Sequence, residues 1–426
     1  MKRPVFALVD CDNFFVSCER LFRPDLEDRP VAVLSNNDGC AVARSSEVKA
    51  LGIPMGAPAF KYRDLFEKHK IVTFSANFEL YGDISRRIIG LLATVTPKIE
   101  IYSVDESFLD LSELPTKDYE QWGRRVRQNI LDWIGVPVSF GIAPSKTLAK
   151  AAVERAKKAP NLEGALSLQG ASLQTIGKHL LRIPIEDVWG VGRRLAAKLK
   201  AEGVMNALDY ARMRPAHAQQ LLSIRGRQTV AELNGTSCFP LEREKRVRQS
   251  IARTRTFGRD TNKKEDLQAA LASFVHAAAF RLRMSGLRTH GLSIFITTNQ
   301  HKPGYGRWGG EAHFETPTAD TGQLINAAME LLDGCYRAGH AYHRAGVLLG
   351  DFVPEDHLQT DILGAVDVKK EQSAERRLRA VDTLNERYGK HTVRYATELM
   401  GSAWESRQTI KSPRYVSDWD DIPLVN

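Results

Sequence analysis

The chain has 426 residues, of which 43% are hydrophobic and 26% are charged, a balance typical of soluble globular proteins with about two to four folded units. No apolar run reaches the roughly 18 residues of a membrane-spanning helix, and the five cysteines include no C-x-x-C pair, so we expect a reduced cytoplasmic protein with no membrane segment. The net charge of +9 arises between positions 171 and 260, where 17 Lys and Arg stand against 8 Asp and Glu, and this confinement favours a polyanionic partner over a merely solvated basic surface.

Up to about residue 170, the predicted elements alternate between strands and helices. Their order is strand, inserted segment, helix, two strands, helix, strand, helix and strand, which suits a sheet with helices packed on one face. Residues 99–111 predict an antiparallel hairpin that turns at Asp105-Glu106-Ser107. The strands are predicted at 5–9, 31–34, 99–104, 108–111, 138–142 and 165–168, and the helices at 45–51, 77–92, 117–133 and 146–157.

The second half of the chain changes character twice. Residues 184–235 have few β signals and two helical turn motifs, whereas residues 247–352 predict the order β-α-β-β-α-β. After Pro354 the sequence is polar, apart from one helix near 373–388 whose apolar stripe suits either a partner or the body of the protein. The strands of the β-α-β-β-α-β segment are predicted at 249–257, 292–298, 312–315 and 345–352, and its helices at 264–284 and 321–337.

Three acidic residues fall at predicted strand ends. Asp10 follows the run Ala7-Leu8-Val9, and Asp105 and Glu106 follow the run 101–104. Turn chemistry alone explains an Asp-Glu pair in a hairpin, but acids beside a buried sheet are costly unless a metal or an ion pair balances them. Carboxylates gathered at strand ends form a hard, oxygen-rich site, so the pattern favours Mg²⁺.

The segments around these acids resemble a known family. Residues 10–19 (DCDNFFVSCE) together with residues 102–108 (YSVDESF) resemble the Y-family translesion DNA polymerases, and within them the UmuC branch. The resemblance extends from about residue 6 to residue 415 and includes the motifs VLSNNDGC at 33–40, DVWG at 187–190 and KSPRY at 411–415. Several motifs in the right order make the resemblance specific.

The resemblance implies an α+β, right-hand polymerase fold. Its parts are a ferredoxin-like palm, small fingers, a helical thumb with a helix-hairpin-helix, and a β-α-β-β-α-β little finger. The boundaries expected here are 1–27 and 80–170 for the palm, 28–79 for the fingers, 171–240 for the thumb, 241–353 for the little finger and 354–426 for a regulatory tail.

The same resemblance implies two-metal nucleotidyl transfer from a dNTP to a primer 3′-hydroxyl. Asp10, Asp105 and Glu106 match the catalytic, metal-binding carboxylates of the family, and the Cys11 position supplies a backbone carbonyl to one of two Mg²⁺ ions. In such sites one ion activates the hydroxyl and the other holds the triphosphate.

The resemblance also predicts which residues form the nucleotide pocket. Phe15 matches the steric gate that excludes a ribose 2′-hydroxyl, although a core aromatic is the alternative, and it stands where members of the UmuC branch have Tyr. Lys49 and Lys157 match basic triphosphate contacts, and Phe14 and Ser46 join the pocket. Many Y-family members have Tyr and Arg at the Ser46 and Lys49 positions, and Lys lacks the bidentate fork of Arg.

The DNA grip is expected in the basic middle of the chain. Gly190 and Gly192 allow a tight turn whose N–H groups approach a phosphate beside Arg193 and Arg194. A generic helix-turn-helix corner is the alternative, and residues 223–227 are a weaker second copy. In the basic stretch 243–259, the alternating Arg253 and Arg255 of a little-finger strand would project to one face, which suits a row of phosphates.

Further partners follow from the resemblance. Gln359, Ile362 and Leu363 lie in a degenerate version of the peptide that binds the sliding clamp. The UmuC branch implies a dimer of the cleaved UmuD-type subunit and a RecA filament, besides primer-template DNA and dNTP, in the bacterial SOS response. Two alternatives stay open: a catalytically silent DNA- or clamp-binding regulatory protein, and a palm-type nucleotidyl cyclase.

Overall fold

The computed structural model describes residues 4–116, 118–242, 248–355, 368–389, 392–401 and 404–423. The chain forms two compact units. The first comprises Met1–Ser35, Gly39–Lys245 and Thr409–Asn426, and the second comprises Asn36–Asp38 and Arg246–Gln408. The predicted tail is therefore divided, because its last residues belong to the first unit. No helix among the described residues is long and apolar enough to cross a membrane.

The first unit combines two sheets with helices. In chain order its strands are β1 (Phe6–Cys11), β2 (Val31–Leu34), β3 (Ala41–Arg44), β4 (Val72–Ser75), β5 (Ile99–Ile101), β6 (Glu106–Asp110), β7 (Val138–Ala143) and β8 (Ala165–Ser167). Its helices are α1 (Phe14–Phe22), α2 (Ser46–Ala50), α3 (Arg63–Lys68), α4 (Phe78–Val95), α5 (Tyr119–Ile134), α6 (Lys146–Lys158), α7 (Leu173–Leu180), α8 (Arg193–Ala201), α9 (Ala207–Arg212) and α10 (Pro215–Leu233).

The larger sheet of the first unit has the strand order β5-β6-β1-β7-β8, with β1 antiparallel to both of its neighbours. Ala7 and Val9 pack into one core with residues of α4 and α5, while Leu8 packs into another with residues of α6. The prediction of helices on one face is therefore wrong. The unbroken apolar run of β1 is the signal that was missed, since a strand covered on both faces does not alternate with polar residues.

Helix α6 approaches the sheet closely at Gly141. A Cβ atom at this position would lie 2.2 Å from the carbonyl oxygen of Ala149 and 2.3 Å from the backbone nitrogen of Val153. Only glycine allows this contact between strand and helix backbones. The contact fixes the height of α6 above β7.

The second unit has a sheet of strand order β11-β10-β12-β9. Its elements are β9 (Ser250–Thr261), α11 (Lys264–Arg283), β10 (Leu287–Thr298), β11 (Arg307–Thr318), α12 (Thr321–Cys335), β12 (Tyr342–Pro354) and α13 (Val368–Tyr388). The predicted β-α-β-β-α-β order is confirmed. Strand β11 is longer than predicted. The prediction was too short because β11 is a largely exposed edge strand and lacks the apolar alternation that marks a core strand.

Candidate active site

The three predicted carboxylates come together at one end of the larger sheet. In the β1–β6 pairing Asp10 lies opposite Glu106, and the backbone N–H of Cys11 donates to the carbonyl oxygen of Asp105 at 2.9 Å. The hairpin between β5 and β6 turns at residues 102–105, so the turn predicted at Asp105-Glu106-Ser107 was placed too late, and Glu106 and Ser107 belong to β6. The roles of the three carboxylates stay predictions.

The turn before β6 is held by Ser103. Its hydroxyl oxygen accepts from the backbone N–H groups of Glu106 at 3.0 Å and Asp105 at 3.3 Å, and its O–H donates to Asp105 Oδ1 at 2.5 Å. Asp105 therefore makes the hydrogen bonds expected if the Asp-Glu pair served only to form a turn. These bonds also orient its carboxylate, so the two interpretations are compatible.

Two lysines of α6 pair with the carboxylates. Lys157 bonds Asp10 and lies 3.7 Å from Asp12 Oδ1, and Lys150 donates to both oxygens of Glu106 at 2.7 and 2.9 Å. Lys150 was missed from the sequence. Its signal was the spacing to Lys157, because residues two turns apart lie on one face of a helix.

Burial raises the pKa of Asp10 to about 7, against the attraction of Lys157 and with added repulsion from Glu106. Burial also raises the pKa of Asp12, against Lys157 and the Ser139 hydroxyl, which lies 3.0 Å from each Asp12 oxygen. The pKa of Lys157 is raised, since its attraction to Asp10 outweighs the effect of burial. The lysine is therefore a stable cation at this end of the sheet.

Among the described residues, no cluster of three or more His, Cys, Asp or Glu side chains is arranged as a preformed metal site. The pairing of Asp10 and Glu106 with lysines explains this, because each carboxylate is directed at an ammonium group. The charge balance of the site nevertheless favours cations, since buried carboxylates are costly without them.

Phe15 and Phe14 differ in environment. Phe14 is buried in the core of the first unit, so its side chain packs there and is not open to a nucleotide. Phe15 is half-buried and stacks on Tyr81, with ring centroids 4.3 Å apart and an interplanar angle of 13°. Phe78 meets Phe15 edge-on at 5.8 Å. The Phe15 ring is therefore partly accessible and packs against the rings of Tyr81 and Phe78.

Ser46 and Lys49 of α2 are connected by hydrogen bonds to Asn13, the residue before α1. Lys49 Nζ donates to Asn13 Oδ1 at 2.5 Å, and Asn13 Nδ2 donates to Ser46 Oγ at 3.3 Å. Burial, together with repulsion from Arg44 and Lys157, lowers the pKa of Lys49. Lys49 and Lys157, the two predicted triphosphate lysines, therefore lie close enough to repel each other. Asn13 was missed, although an Asn before a helix suits the left-handed φ of 49° that it adopts.

The predicted hairpin glycines precede α8. Gly190 has a φ of +83°, which requires glycine, and Gly192 is the N-cap residue of α8. Arg193 and Arg194 are exposed in the first turn of the helix. The arm before the hairpin is a short 3₁₀ turn at Ile185–Asp187 rather than an α-helix.

Trp189 anchors this hairpin to the carboxylate turn. Its indole Nε1 donates to the hydroxyl of Tyr102 at 3.0 Å, and the two rings meet edge-on with centroids 5.8 Å apart. The weaker copy at 223–227 is instead a corner inside α10, where Ser223 has a φ of 67°. A Cβ atom at Gly226 would lie 2.4 Å from the carbonyl oxygen of Ala218, so this glycine serves helix packing.

In the second unit, Arg253 and Arg255 do share one face of β9, as predicted. That face also carries the buried Ile251 and Phe257, and Arg253 is paired with the buried Val347 of β12. The two arginines are therefore half-buried on the covered face of the sheet. Residues 243–247 and the clamp peptide with Gln359, Ile362 and Leu363 lie outside the described residues.

The open face of the same sheet carries two arginines that the sequence analysis missed. The guanidinium groups of Arg307 and Arg344 lie 4.8 and 5.7 Å from the ring centroid of Phe295. Both arginines are exposed. The signal was the alternation of β10, where Ile294 and Ile296 are buried and Phe295 points to the other side.

Comparisons with known proteins extend over nearly the whole chain. Residues 9–154 match the impB/mucB/samB family, residues 248–362 match the C-terminal domain of that family, and residues 376–425 match a domain of unknown function. The protein UmuC of Salmonella typhimurium strain LT2 is 38% identical over 99% of this chain and 100% of its own length. ImpB of Salmonella typhimurium is 37% identical over 99% of each chain.

More distant relatives include a DNA polymerase IV from Moorella thermoacetica, 28% identical over 93% of this chain and 96% of its own. Among solved structures, a Y-family DNA polymerase chimera gives a TM-score of 0.66 at 20% identity, over 82% of this chain and 99% of that one. The fold is thus that of a Y-family DNA polymerase, as the sequence predicts. The chain belongs to the impB/mucB/samB family, which confirms the predicted family resemblance.

Proposed function

We propose that this protein is a template-directed DNA polymerase that performs translesion synthesis in the SOS response and joins a dNTP to a primer 3′-hydroxyl. Its family and its fold support this activity. One observation carries the chemistry: the antiparallel pairing of β1 with β6 sets Asp10 opposite Glu106, beside the turn that holds Asp105. We place the protein in the cytoplasm.

The donor chemistry of the carboxylates fits two Mg²⁺ ions. Asp10, Asp105 and Glu106 supply hard oxygen atoms at one end of a sheet, and Cys11 adds a backbone carbonyl. Bound Mg²⁺ supplies the charge that lowers the pKa of the primer hydroxyl and neutralises the triphosphate. Lys150 and Lys157, which pair with Glu106 and Asp10 in this structure, would give up these carboxylates to the metal ions.

Side chains around α1 and α2 hold the incoming nucleotide. Phe15 lies under the sugar and excludes a 2′-hydroxyl by its bulk. Lys49 and Lys157 donate charge-assisted hydrogen bonds to triphosphate oxygens, and Asn13 and Ser46 hold Lys49 in place. These groups act mainly by positioning and by neutralising charge, which is most of what phosphoryl transfer requires of a protein.

Duplex DNA is held without reading its sequence. The Gly190–Gly192 turn and the exposed Arg193 and Arg194 approach a phosphate, and Trp189 ties that turn to the carboxylates. The sheet of the second unit, as the little finger, grips the backbone. We assign the palm to 1–27 and 80–170, the fingers to 28–79, the thumb to 171–240, the little finger to 241–353 and the tail to 354–426.

We assign three protein partners on the strength of the family. The peptide with Gln359, Ile362 and Leu363 binds the sliding clamp, and a dimer of the cleaved UmuD-type subunit and a RecA filament bind elsewhere on the chain. Each partner is tested by its own pull-down with the purified full-length chain. Loss of clamp binding on Ile362→Ala with Leu363→Ala, against unchanged UmuD-type binding, supports the clamp assignment.

A primer-extension assay tests the activity. The full-length protein is incubated with Mg²⁺ and all four dNTPs, with and without template, and with its UmuD-type and RecA partners present. Template-dependent extension supports the proposal. Binding of primer-template without extension under all conditions would indicate a silent DNA-binding protein, and template-independent cyclic nucleotide formation would indicate a cyclase.

A further inference from the structure

The C-terminal segment, which we define as residues 409–421, joins the smaller sheet of the first unit. That sheet has the order β3-β2-β4, so β4 is an edge strand. The backbone N–H of Ser75 donates to the carbonyl oxygen of Ile410 at 3.0 Å, and the Ile410 N–H lies 3.2 Å from Ser75 Oγ. The C-terminal segment thus covers the β4 edge, where strand edges otherwise stay open.

From this edge the C-terminal segment places Ser412 in the interior. Ser412 is 5% exposed, and its O–H donates to Glu19 Oε1 at 3.2 Å. Asn77 Nδ2 donates to Ser412 Oγ at 3.0 Å, while Asn77 Oδ1 caps the first turn of α4. Three residues further on, Tyr415 stacks on Phe22 with centroids 4.5 Å apart and an interplanar angle of 7°.

Glu19 connects Ser412 to the predicted steric gate. Its Oε1 also accepts from the Tyr81 hydroxyl at 2.6 Å, and the Tyr81 ring stacks on Phe15 at 4.3 Å. Tyr81 and Glu19 are both fully buried. Phe15, Glu19 and Phe22 lie on one helix, α1, at spacings of about one turn.

Glu19 depends on these two hydroxyl donors. Its second oxygen, Oε2, is buried and makes no hydrogen bond with any described residue. Burial raises the pKa of Glu19, and the Tyr81 and Ser412 hydroxyls oppose this. A buried carboxyl group with so few donors is destabilised when one of them is lost. We therefore expect that removing either hydroxyl shifts the Glu19 carboxyl group and, with it, the other hydroxyl.

We infer that the C-terminal segment is a positioning element for the nucleotide pocket: through Ser412, Glu19 and Tyr81 it fixes the Phe15 ring that selects the sugar. This inference rests on the proposed function of Phe15 as the gate. It gives a role to part of residues 376–425, which match a domain of unknown function. Ser412, Glu19 and Tyr81 are positioning residues, because they act on the nucleotide only through Phe15.

The test measures sugar discrimination in the full-length protein. Ser412→Ala is compared with Ser417→Ala, which removes an exposed hydroxyl of the same segment. We expect Ser412→Ala to lower the ratio of dNTP to rNTP kcat/KM by about two- to tenfold, the effect of losing one net hydrogen bond, and to raise KM for dNTP more than it lowers kcat. Ser417→Ala and the affinity for primer-template should not change. Glu19→Gln, which keeps Oε1 as an acceptor, should retain more discrimination than Glu19→Ala.

Phe15→Ala in the same assay separates two failures. If Phe15→Ala leaves discrimination unchanged, the proposed gate itself is wrong. If Phe15→Ala abolishes discrimination and Ser412→Ala behaves like Ser417→Ala, the positioning role of the C-terminal segment is wrong. Should Ser412→Ala prevent folding, Tyr81→Phe decides in its place: it keeps the ring that stacks on Phe15 and removes only the hydroxyl that bonds Glu19, and unchanged discrimination in that variant overturns the inference.

Discussion

Lys150 donates hydrogen bonds to both carboxylate oxygens of Glu106, at 2.7 and 2.9 Å. The same ammonium lies 4.5 Å from the ring centroid of Tyr102, on the turn that leads into β6. Helix α6 therefore contacts the carboxylate end of the sheet through two ion pairs, Lys150 with Glu106 and Lys157 with Asp10. This arrangement is the basis of the first prediction.

Asp105→Asn with Glu106→Gln should abolish nucleotide addition and leave DNA binding largely intact. In the proposed site the carboxylates hold the metal ions, whereas arginines and lysines elsewhere in the chain bind the duplex. Primer extension and a fluorescence titration with primer-template measure the two properties. The control is Glu113→Gln, an exposed acid paired with Lys98, which should extend primers normally. Continued extension by the double variant would show that the metal site lies elsewhere.

Phe15→Ala should admit ribonucleotides while deoxyribonucleotide addition persists, because only the clash with the 2′-hydroxyl is removed. Single-turnover incorporation of dNTP and rNTP on the same primer-template measures the change. Trp133→Ala, which removes an exposed aromatic side chain from α5, is the control and should keep the discrimination. Parallel losses for both sugars would mean that Phe15 is only a packing residue.

DNA affinity should depend on salt through the arginines of the second unit. Each phosphate contact adds about 0.9 to the slope of log affinity against log salt. The sequence predicts that Arg253→Ala with Arg255→Ala flattens this slope by about two units. The structure instead predicts the larger loss of slope for Arg307→Ala with Arg344→Ala, because those side chains are exposed on the open face. Arg255, in contrast, lies 5.6 Å from the Trp404 ring centroid on the covered face.

Titrations of primer-template at several salt concentrations separate the two pairs. We expect the Arg307/Arg344 variant to lose about two units of slope and the Arg253/Arg255 variant to lose less, with a lower midpoint of unfolding because its side chains are half-buried. An unchanged slope in both variants would leave this sheet without a phosphate-binding role.

Gly141→Ala should destabilise the first unit by about 1–3 kcal/mol, as overpacking does. The added methyl group would meet the backbone of α6 at 2.2 and 2.3 Å, and neither backbone can yield without moving the lysines that pair with Asp10 and Glu106. Gly90→Ala is the control: nothing lies within 4 Å of its Cβ position, and in helix α4 it should stabilise by about 0.5–1 kcal/mol. Urea unfolding compares both variants, and equal midpoints would contradict the close approach.

The sequence was sufficient where a pattern is local. The apolar run before Asp10, the hairpin at Asp105-Glu106 and the alternation of helices and strands in the second half predict elements that the structure contains. The meeting of Asp10 with Glu106 depends instead on the long-range pairing of β1 with β6, which the hairpin alone does not predict.

The sequence was insufficient where the outcome depends on which face is covered. Arg253 and Arg255 alternate as expected, but alternation does not say which side of a sheet faces helices. The same limit hid Lys150, whose role depends on α6 packing over β1 and β7, from where its side chain reaches Glu106. The contact of Ser412 with Glu19 joins residues far apart in the chain, and no local pattern encodes it.

The return of residues 409–421 to the first unit changes the topology of the whole chain. The chain enters the main part of the second unit at Arg246 and leaves it at Gln408, and Asn36–Asp38 belong to this unit as well, so the unit is an internal insertion rather than a terminal appendage. A single cut in the entry connection would therefore leave the second unit attached through its exit, and the two fragments should stay together.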